Sequence, residues 1–239
     1  VSGYYMTDPK IDSISGEILA KWYLRFNGYF IVDNFIVHAG DDINRISKNI
    51  VGNHTETDIL AIRHKFNKEI TGSLHIQNDP KIISPQDNPI DFVIAEVKTG
   101  RQSKPNKLWT EKKLSVIEYI LRFAGFIETE ATISAVAIQL SESGIYHDID
   151  NKFSVRLVLI SETKANKKWE HLTNILFDDI IDFLVDIRGQ CWLEENIGIA
   201  SIHDQWDDLI NKVFNIANNH STDLYNRKQK IKTLLQTPT

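Results

Sequence analysis

Near the start of the chain, apolar residues recur every three or four positions. Leu19, Trp22, Tyr23 and Phe26 fall at i, i+3, i+4 and i+7, the spacing with which an amphipathic helix buries one face. A helix is predicted over about 15–27, capped by Ser13 or Ser15 and stopped by Gly28. Glu17 then falls in its first turn, where the helix dipole favours a carboxylate. From Tyr29 to His38 aromatic and β-branched residues predict a strand, interrupted by Asp33-Asn34 as a bulge or turn and ended by Gly40-Asp41-Asp42. Residues 41–54 are polar and read as loop, with room for one helical turn.

Glu56 to His64 is the second predicted strand: Asp58, Leu60 and Ile62 share one face, Ile59, Ala61 and Arg63 the other. Residues 65–90 carry Gly72, Pro80, Pro85 and Pro89 and read as an insertion with a short strand at Gly72 to Ile76. The third strand is predicted from Asp91 to Lys98. Phe92, Ile94, Glu96 and Lys98 face one way and Val93, Ala95 and Val97 the other; apolar residues on both faces predict a central strand covered on two sides. A polar, basic loop over 100–106 leads into a helix from about Thr110 to Ala124, with Leu114, Ile117 and Leu121 inward and Gly125 at its end. Ala131 to Leu140 and Phe153 to Ser161 read as strands separated by a loop over 141–152. Trp169 to Arg188 reads as one long helix with Leu172, Leu176, Ile180 and Phe183 on a stripe. Asp204 to Ala217, carried by Trp206, Leu209, Ile210, Val213 and Phe214, and a last helix capped by Ser221 and running through Leu235, complete the chain. The core order is helix, strand, strand, strand, helix, strand: an α/β fold.

Composition changes this picture little. Of 239 residues, 42% are hydrophobic and 25% charged, the balance of a globular domain with a substantial core. The net charge of −5 is no footprint of nucleic-acid binding, although a local basic strip on an acidic body suffices for it. A single cysteine, Cys191, excludes an intramolecular disulfide and a Cys-rich zinc site; it reads as a buried small side chain. No run is long enough to span a bilayer, and Val1 to Lys10 lacks the pattern of a signal peptide. The expectation is a cytoplasmic protein with no membrane partner.

Chemistry enters with Ile94-Ala95-Glu96-Val97-Lys98-Thr99-Gly100 and with Asp58 in Thr55-Glu56-Thr57-Asp58-Ile59-Leu60-Ala61. Glu96 and Lys98, at i and i+2 of a strand, project together, and a neighbouring strand can bring Asp58. Two carboxylates and an ammonium can hold a divalent cation and act on a phosphodiester. Mg²⁺ or Mn²⁺ takes oxygen ligands; Asp58 and Glu96 are the candidate ligands, with the carbonyl of Val97 as a third. Lys98 can stabilise developing phosphoryl charge, orient a water or, with a depressed pKa, act as a base; the residues do not choose among these.

These motifs resemble the PD-(D/E)xK nuclease superfamily. Glu17 on the first helix, Thr57-Asp58 opening an apolar strand and Glu96-Val97-Lys98 closing the next carry the likeness over about the first 125 residues and the core strands that follow. Thr57 stands where the superfamily often has Pro, and the interval from Asp58 to Glu96 is long. The resemblance implies a restriction-endonuclease-like mixed central β-sheet flanked by helices and Mg²⁺-dependent hydrolysis of nucleic acid, DNA in preference to RNA. It also implies catalytic roles for Asp58, Glu96, Lys98 and Glu17. On this reading residues 1–188 form the nuclease-like domain and 189–239 a helical C-terminal extension packed on it, which leaves room for a homodimer or a place in a larger complex.

Other readings of the same residues stand beside this one. Glu96 and Lys98 also fit a structural ion pair in an unrelated α/β protein, and the whole chain also fits a nucleic-acid-binding or assembly module of a restriction, repair or defence system that keeps the fold. Glu17 fits a simple first-turn acid. Asp33 is a rival acid, and His38 and His64 fit satisfied histidines at strand ends. Trp109 and Trp169 fit packing anchors. Lys98, Arg101, Lys104, Lys107, Lys112 and Lys113 form a basic run beside the motif, suited to phosphates or simply solvated. Lys164, Lys167 and Lys168, and Arg227 to Lys232, read as solvated helix faces.

Overall fold

Asp12 starts the first helix, α1 (Ser13–Phe26): its Oδ2 accepts from the Ser15 amide at 3.0 Å, satisfying one of the orphan donors of the first turn. The cap is thus Asp12 in place of the expected Ser13 or Ser15, and Glu17 lies beyond the first turn. The structure, a computed structural model, describes residues 10–38, 54–71, 74–84, 86, 88–100, 103–105, 114–195 and 207–237. Residues 41–53 of the loop expected over 41–54, Arg101, Lys107, Trp109, Lys112, Lys113 and Trp206 fall outside them, while His54 begins a strand.

After α1 come β1 (Phe30–His38), β2 (His54–His64), a small hairpin of β3 (Ile70–Thr71) and β4 (Leu74–His75), and β5 (Ile90–Lys98). Then follow α2 (Leu114–Ala124), α3 (Glu130–Ser143), β6 (Ile145–His147), β7 (Phe153–Ser161), a 3₁₀ turn (Lys167–Trp169) and β8 (Thr173–Leu176). The C-terminal part is α4 (Phe177–Asp182), which continues through a π-wound segment (Phe183–Arg188) into α5 (Gly189–Glu195), then α6 (Asp208–Ala217) and α7 (Leu224–Leu235).

Six strands form a mixed sheet in the order β1-β2-β5-β7-β6, with β8 on the same edge of β7 as β6. The β1–β2 and β2–β5 pairs are antiparallel, whereas β5 and β7 run parallel over their full length, Ile90 opposite Phe153 and Lys98 opposite Ser161. Helices cover both faces. Ile59, Ala61, Val93, Ala95, Val97, Val158 and Ile160 pack against α1, α4, the π-wound segment, α6 and α7. Val37, Leu60, Phe92, Ile94, Val155 and Leu157 pack against α2 and α3. The protein is a mixed α/β fold with helices on both sides of the sheet, and β5, buried on both faces as expected, runs through its centre. The C-terminal helices share one apolar cluster with α1: Trp192, Leu209, Val213, Ile231 and Leu235 contact the same core as Leu19 and Tyr23. The Leu235 carbonyl also accepts from the Asp12 amide at 2.8 Å.

Three expectations are corrected. Residues 131–140 are helical, not a strand: Ile133, Val136, Ala137 and Leu140 are buried at i, i+3, i+4 and i+7, the helical period. Thr129 caps α3, and Gly144 closes it in the left-handed region at φ 72°. Residues 145–147, expected within a loop, form β6. The long helix expected over 169–188 begins only at Phe177, because 173–176 pair with β7 as β8; Asp179 Oδ2 accepts from the Leu176 amide at 2.9 Å to start α4. Smaller differences are that Asp223, not Ser221, caps α7, and that Cys191 is half-buried. Among the described residues no helix is long and apolar enough to cross a membrane.

Candidate functional site

The site forms where β2 parts from β5. Their ladder ends with Ile59 opposite Ala95, so Glu96, Val97 and Lys98 lie past the last β2 pair and continue only alongside β7. On the other side of β2, Asp33 pairs with Ile59 and Phe35 with Thr57, while Asn34 and Asp58 between them are unpaired. Asn34 has φ 51°, a conformation an asparagine tolerates better than most residues. Asp58 therefore stands at a break in both ladders. Its Oδ2 turns to the Val97 amide and accepts from it at 2.6 Å, taking up a donor that the parting of the strands leaves exposed.

Glu96 and Lys98 project together, as their spacing predicts. Lys98 Nζ lies 2.7 Å from Glu96 Oε2 and 3.9 Å from Asp58 Oδ2. The Glu96 side chain is 1% exposed, Asp58 21% and Lys98 31%, so the site runs from a buried carboxylate to a solvent-facing ammonium. Burying a carboxylate costs free energy unless it is paired, and Lys98 is the pairing cation.

Glu17 lies near enough to feel the charges of this site, though it is not gathered with the two carboxylates, because α1 approaches the end of β5 closely. A Cβ on Gly16 would meet the Thr99 methyl at 2.6 Å and the Phe177 ring at 3.1 Å, so a larger residue there requires Thr99 or the helix to shift. The Glu17 carboxyl is pushed above the usual glutamate range, first by burial and then by the charge of Asp58 with a further contribution from Glu56; Lys21 and Lys98 act in the opposite sense. Its charge thus interacts with those of Asp58 and Lys98. Glu56, two residues before Asp58 on β2, is the acid that sequence reasoning passed over; its i, i+2 relation to Asp58 was the signal.

The donor set, two carboxylates and the Val97 carbonyl, is all oxygen and of the hardness that Mg²⁺ or Mn²⁺ takes. Asp58 and Glu96 already share one cationic group, the Lys98 ammonium, which shows that both reach a common positive charge. Among the described residues no group of three or more His, Cys, Asp or Glu side chains is gathered as a metal cage. The residues present fit a cation held by two carboxylates and completed by carbonyl and water, the way Mg²⁺ is commonly bound.

The rival residues lie elsewhere. Asp33 pairs with Lys21 at 2.9 Å, and that hydrogen bond holds its carboxyl below the usual range. His64 is exposed and stacks edge-on with Phe30 at 6.4 Å. Trp169 packs against the α2–α3 side of the core. Another buried charge cluster sits at the opposite end of β5. Arg156 donates to Asp91 through Nε at 3.0 Å and Nη2 at 2.6 Å, and to the Ile82 carbonyl at 2.6 Å; Tyr29 and Ser154 complete the shell around Asp91. Every Asp91 oxygen is taken, which marks a structural tie between β5, β7 and Tyr29, the residue just before β1. Comparison with models of known protein families, with curated proteins and with solved structures gives no match to this chain.

Proposed function

We propose that the protein is a Mg²⁺- or Mn²⁺-dependent nuclease that hydrolyses phosphodiester bonds, DNA being the expected substrate. The observation that carries this reading is the Glu96 carboxylate: 1% exposed at a strand end, held at 2.7 Å by Lys98 and joined through it to Asp58. A merely structural pair has no need of a second carboxylate brought in by a break in the neighbouring strand. The order of α1, three antiparallel strands and a fourth core strand parallel to the third supports the resemblance to the PD-(D/E)xK superfamily and a restriction-endonuclease-like fold.

Asp58 and Glu96 would hold the cation, with the Val97 carbonyl between them. Such an ion acts as a Lewis acid and water activator. Asp58 is oriented by the Val97 amide, so one of its oxygens is fixed and the carboxylate is aimed before any ligand arrives. Glu96, held in a nearly dry position, interacts with charge more strongly than a solvated carboxylate does. Lys98 places a point charge at the solvent edge, where phosphoryl oxygens would meet it. Glu17, with its raised pKa, adds negative potential on the α1 side.

The reading is tested by incubating purified protein with plasmid and single-stranded DNA in Mg²⁺ or Mn²⁺. Wild type cleaves, and Glu96→Gln loses on the order of 10²–10⁴-fold in rate, equivalent to several kcal/mol of transition-state stabilisation. Unchanged cleavage by the variant removes the assignment. A second reading, a module that binds nucleic acid or a partner without cleaving it, is favoured by the lack of a third metal-ligating side chain among the described residues; binding without cleavage by wild type selects it.

A further inference from the structure

Five exposed lysines lie on segments that flank or follow the ends of β5 and β7. The parallel pairing sets Lys98 beside Ser161, so the segment leaving β7 emerges next to the segment leaving β5. The two are tied together: Glu162 donates its amide to the Lys98 carbonyl at 3.2 Å, and its carboxylate accepts from the Gly100 amide at 2.7 Å. Ser103 Oγ donates to the Thr163 carbonyl at 2.5 Å. Lys164 is three residues past Ser161, so its Cα lies within about 11 Å of it even if the chain is fully extended.

The segment is then held in an outward-facing turn. Asn166 Oδ1 accepts from the Lys168 amide at 3.0 Å, Asn174 Oδ1 accepts from the Ala165 amide at 3.0 Å, and Lys167–Trp169 form the 3₁₀ turn. Lys164, Lys167 and Lys168 are exposed, as is Lys104 on the neighbouring segment. Lys10 adds a fifth charge, its Nζ 3.8 Å from where a Cβ on Gly100 would lie. None of the five pairs with a carboxylate among the described residues. Lys21, Lys81, Lys152, Lys228 and Lys232 elsewhere do. The acids within the strip are Glu162, engaged with the Gly100 amide, and exposed Glu170.

A chain of net charge −5 thus carries a local cluster of lysines without carboxylate partners among the described residues, Lys168 lying over the Trp169 ring at 4.8 Å, on segments tied to the end of β5. We propose that Lys10, Lys104, Lys164, Lys167 and Lys168 form a track for the phosphate backbone of a nucleic acid, leading it across the Asp58–Glu96–Lys98 site. Backbone contact by flexible ammonium groups gives salt-dependent affinity with little sequence preference. The inference rests on the nuclease reading for its ligand, but the strip and the carboxylates are separable by experiment.

The test is binding of a fluorescein-labelled DNA duplex, and of the same DNA single-stranded, in EDTA at several salt concentrations. Wild type is compared with the triple variant Lys164→Gln, Lys167→Gln, Lys168→Gln; thermal melting confirms that the variant folds. The expected result is a fall in the log–log salt slope of about two to three and, in low salt, affinity weaker by about ten- to a hundredfold. An unchanged slope, or no salt-dependent binding by wild type, overturns the proposal. Mg²⁺-dependent cleavage by wild type with unaltered binding by the triple variant sinks the track and leaves the nuclease. Binding that the variant loses, without cleavage by wild type, keeps the track and removes the enzyme.

Discussion

Lys98→Met should destabilise the metal-free protein and make it more responsive to divalent cations. The ammonium sits 2.7 Å from a carboxylate that is 1% exposed and 3.9 Å from Asp58, while Lys98 itself is 31% exposed. Fully exposed ion pairs contribute about 0–1 kcal/mol, whereas removing one partner of a buried pair costs about 3–5 kcal/mol. With one partner buried and the other partly solvated, the cost lies between, at about 2 kcal/mol. For a chain of this length that lowers Tm by about 4–8 °C, measurable by calorimetry in EDTA. A divalent cation brings positive charge to the same two carboxylates, and a ligand at a hundredfold excess over its Kd stabilises by about 2.7 kcal/mol. Mg²⁺ or Mn²⁺ should therefore raise the Tm of the variant more than that of wild type, because in wild type the cation must first displace the ammonium. Equal melting of the two proteins in EDTA would show that Glu96 does not depend on Lys98. Equal stabilisation by the metal would show that the ammonium and the cation do not compete.

Other predictions follow from the same geometry. Arg156→Met strands the Asp91 carboxylate in the core and should cost about 3–5 kcal/mol in denaturant unfolding; a cost below about 1 kcal/mol would mean that Asp91 finds other compensation. Gly16→Val puts a side chain into the Thr99 methyl and should cost about 1–3 kcal/mol by overpacking, while pushing α1 and Glu17 away from the site; unchanged stability and unchanged Mn²⁺ affinity would contradict the close approach. Burial, and then the charge of Arg156, holds the His147 pKa below its ordinary 6.5. The unfolded chain then takes up that proton first as the pH falls, so this contribution to stability is present above pH 6.5 and is lost below it. His147→Gln should flatten the decline in stability between pH 7 and 5, and an identical profile would refute the assignment.

How much of the site could be read from the sequence depends on how local each feature is. The joint projection of Glu96 and Lys98 was legible because a strand has a period of two, and apolar residues on both faces marked β5 as central. The position of Asp58 was legible only as a strand residue. Its bond to the Val97 amide depends on where β2 leaves β5, which has no sequence signature strong enough to place it, and on the break at Asn34, which the Asp33-Asn34 pair did mark as a bulge or turn. In α3 the β-branched and alternating character of Ala131 to Leu140 outweighed a helical spacing that was present in Ile133, Val136, Ala137 and Leu140. In β8 the reverse happened: Leu172 and Leu176 continue the stripe of Ile180 and Phe183, yet Thr173–Leu176 gains backbone partners by pairing with β7. Lys164, Lys167 and Lys168 read as an ordinary solvated face because the tie between their segment and the end of β5 comes from the β5–β7 pairing, a contact between segments far apart in the chain.

The most direct test of the central claim, that Asp58 and Glu96 share one divalent cation, is Mn²⁺ binding followed by electron paramagnetic resonance. Wild type is expected to bind Mn²⁺ competitively with Mg²⁺, and Asp58→Asn and Glu96→Gln each to abolish this binding while the fold survives. Mn²⁺ binding of equal affinity and stoichiometry in all three proteins would contradict it.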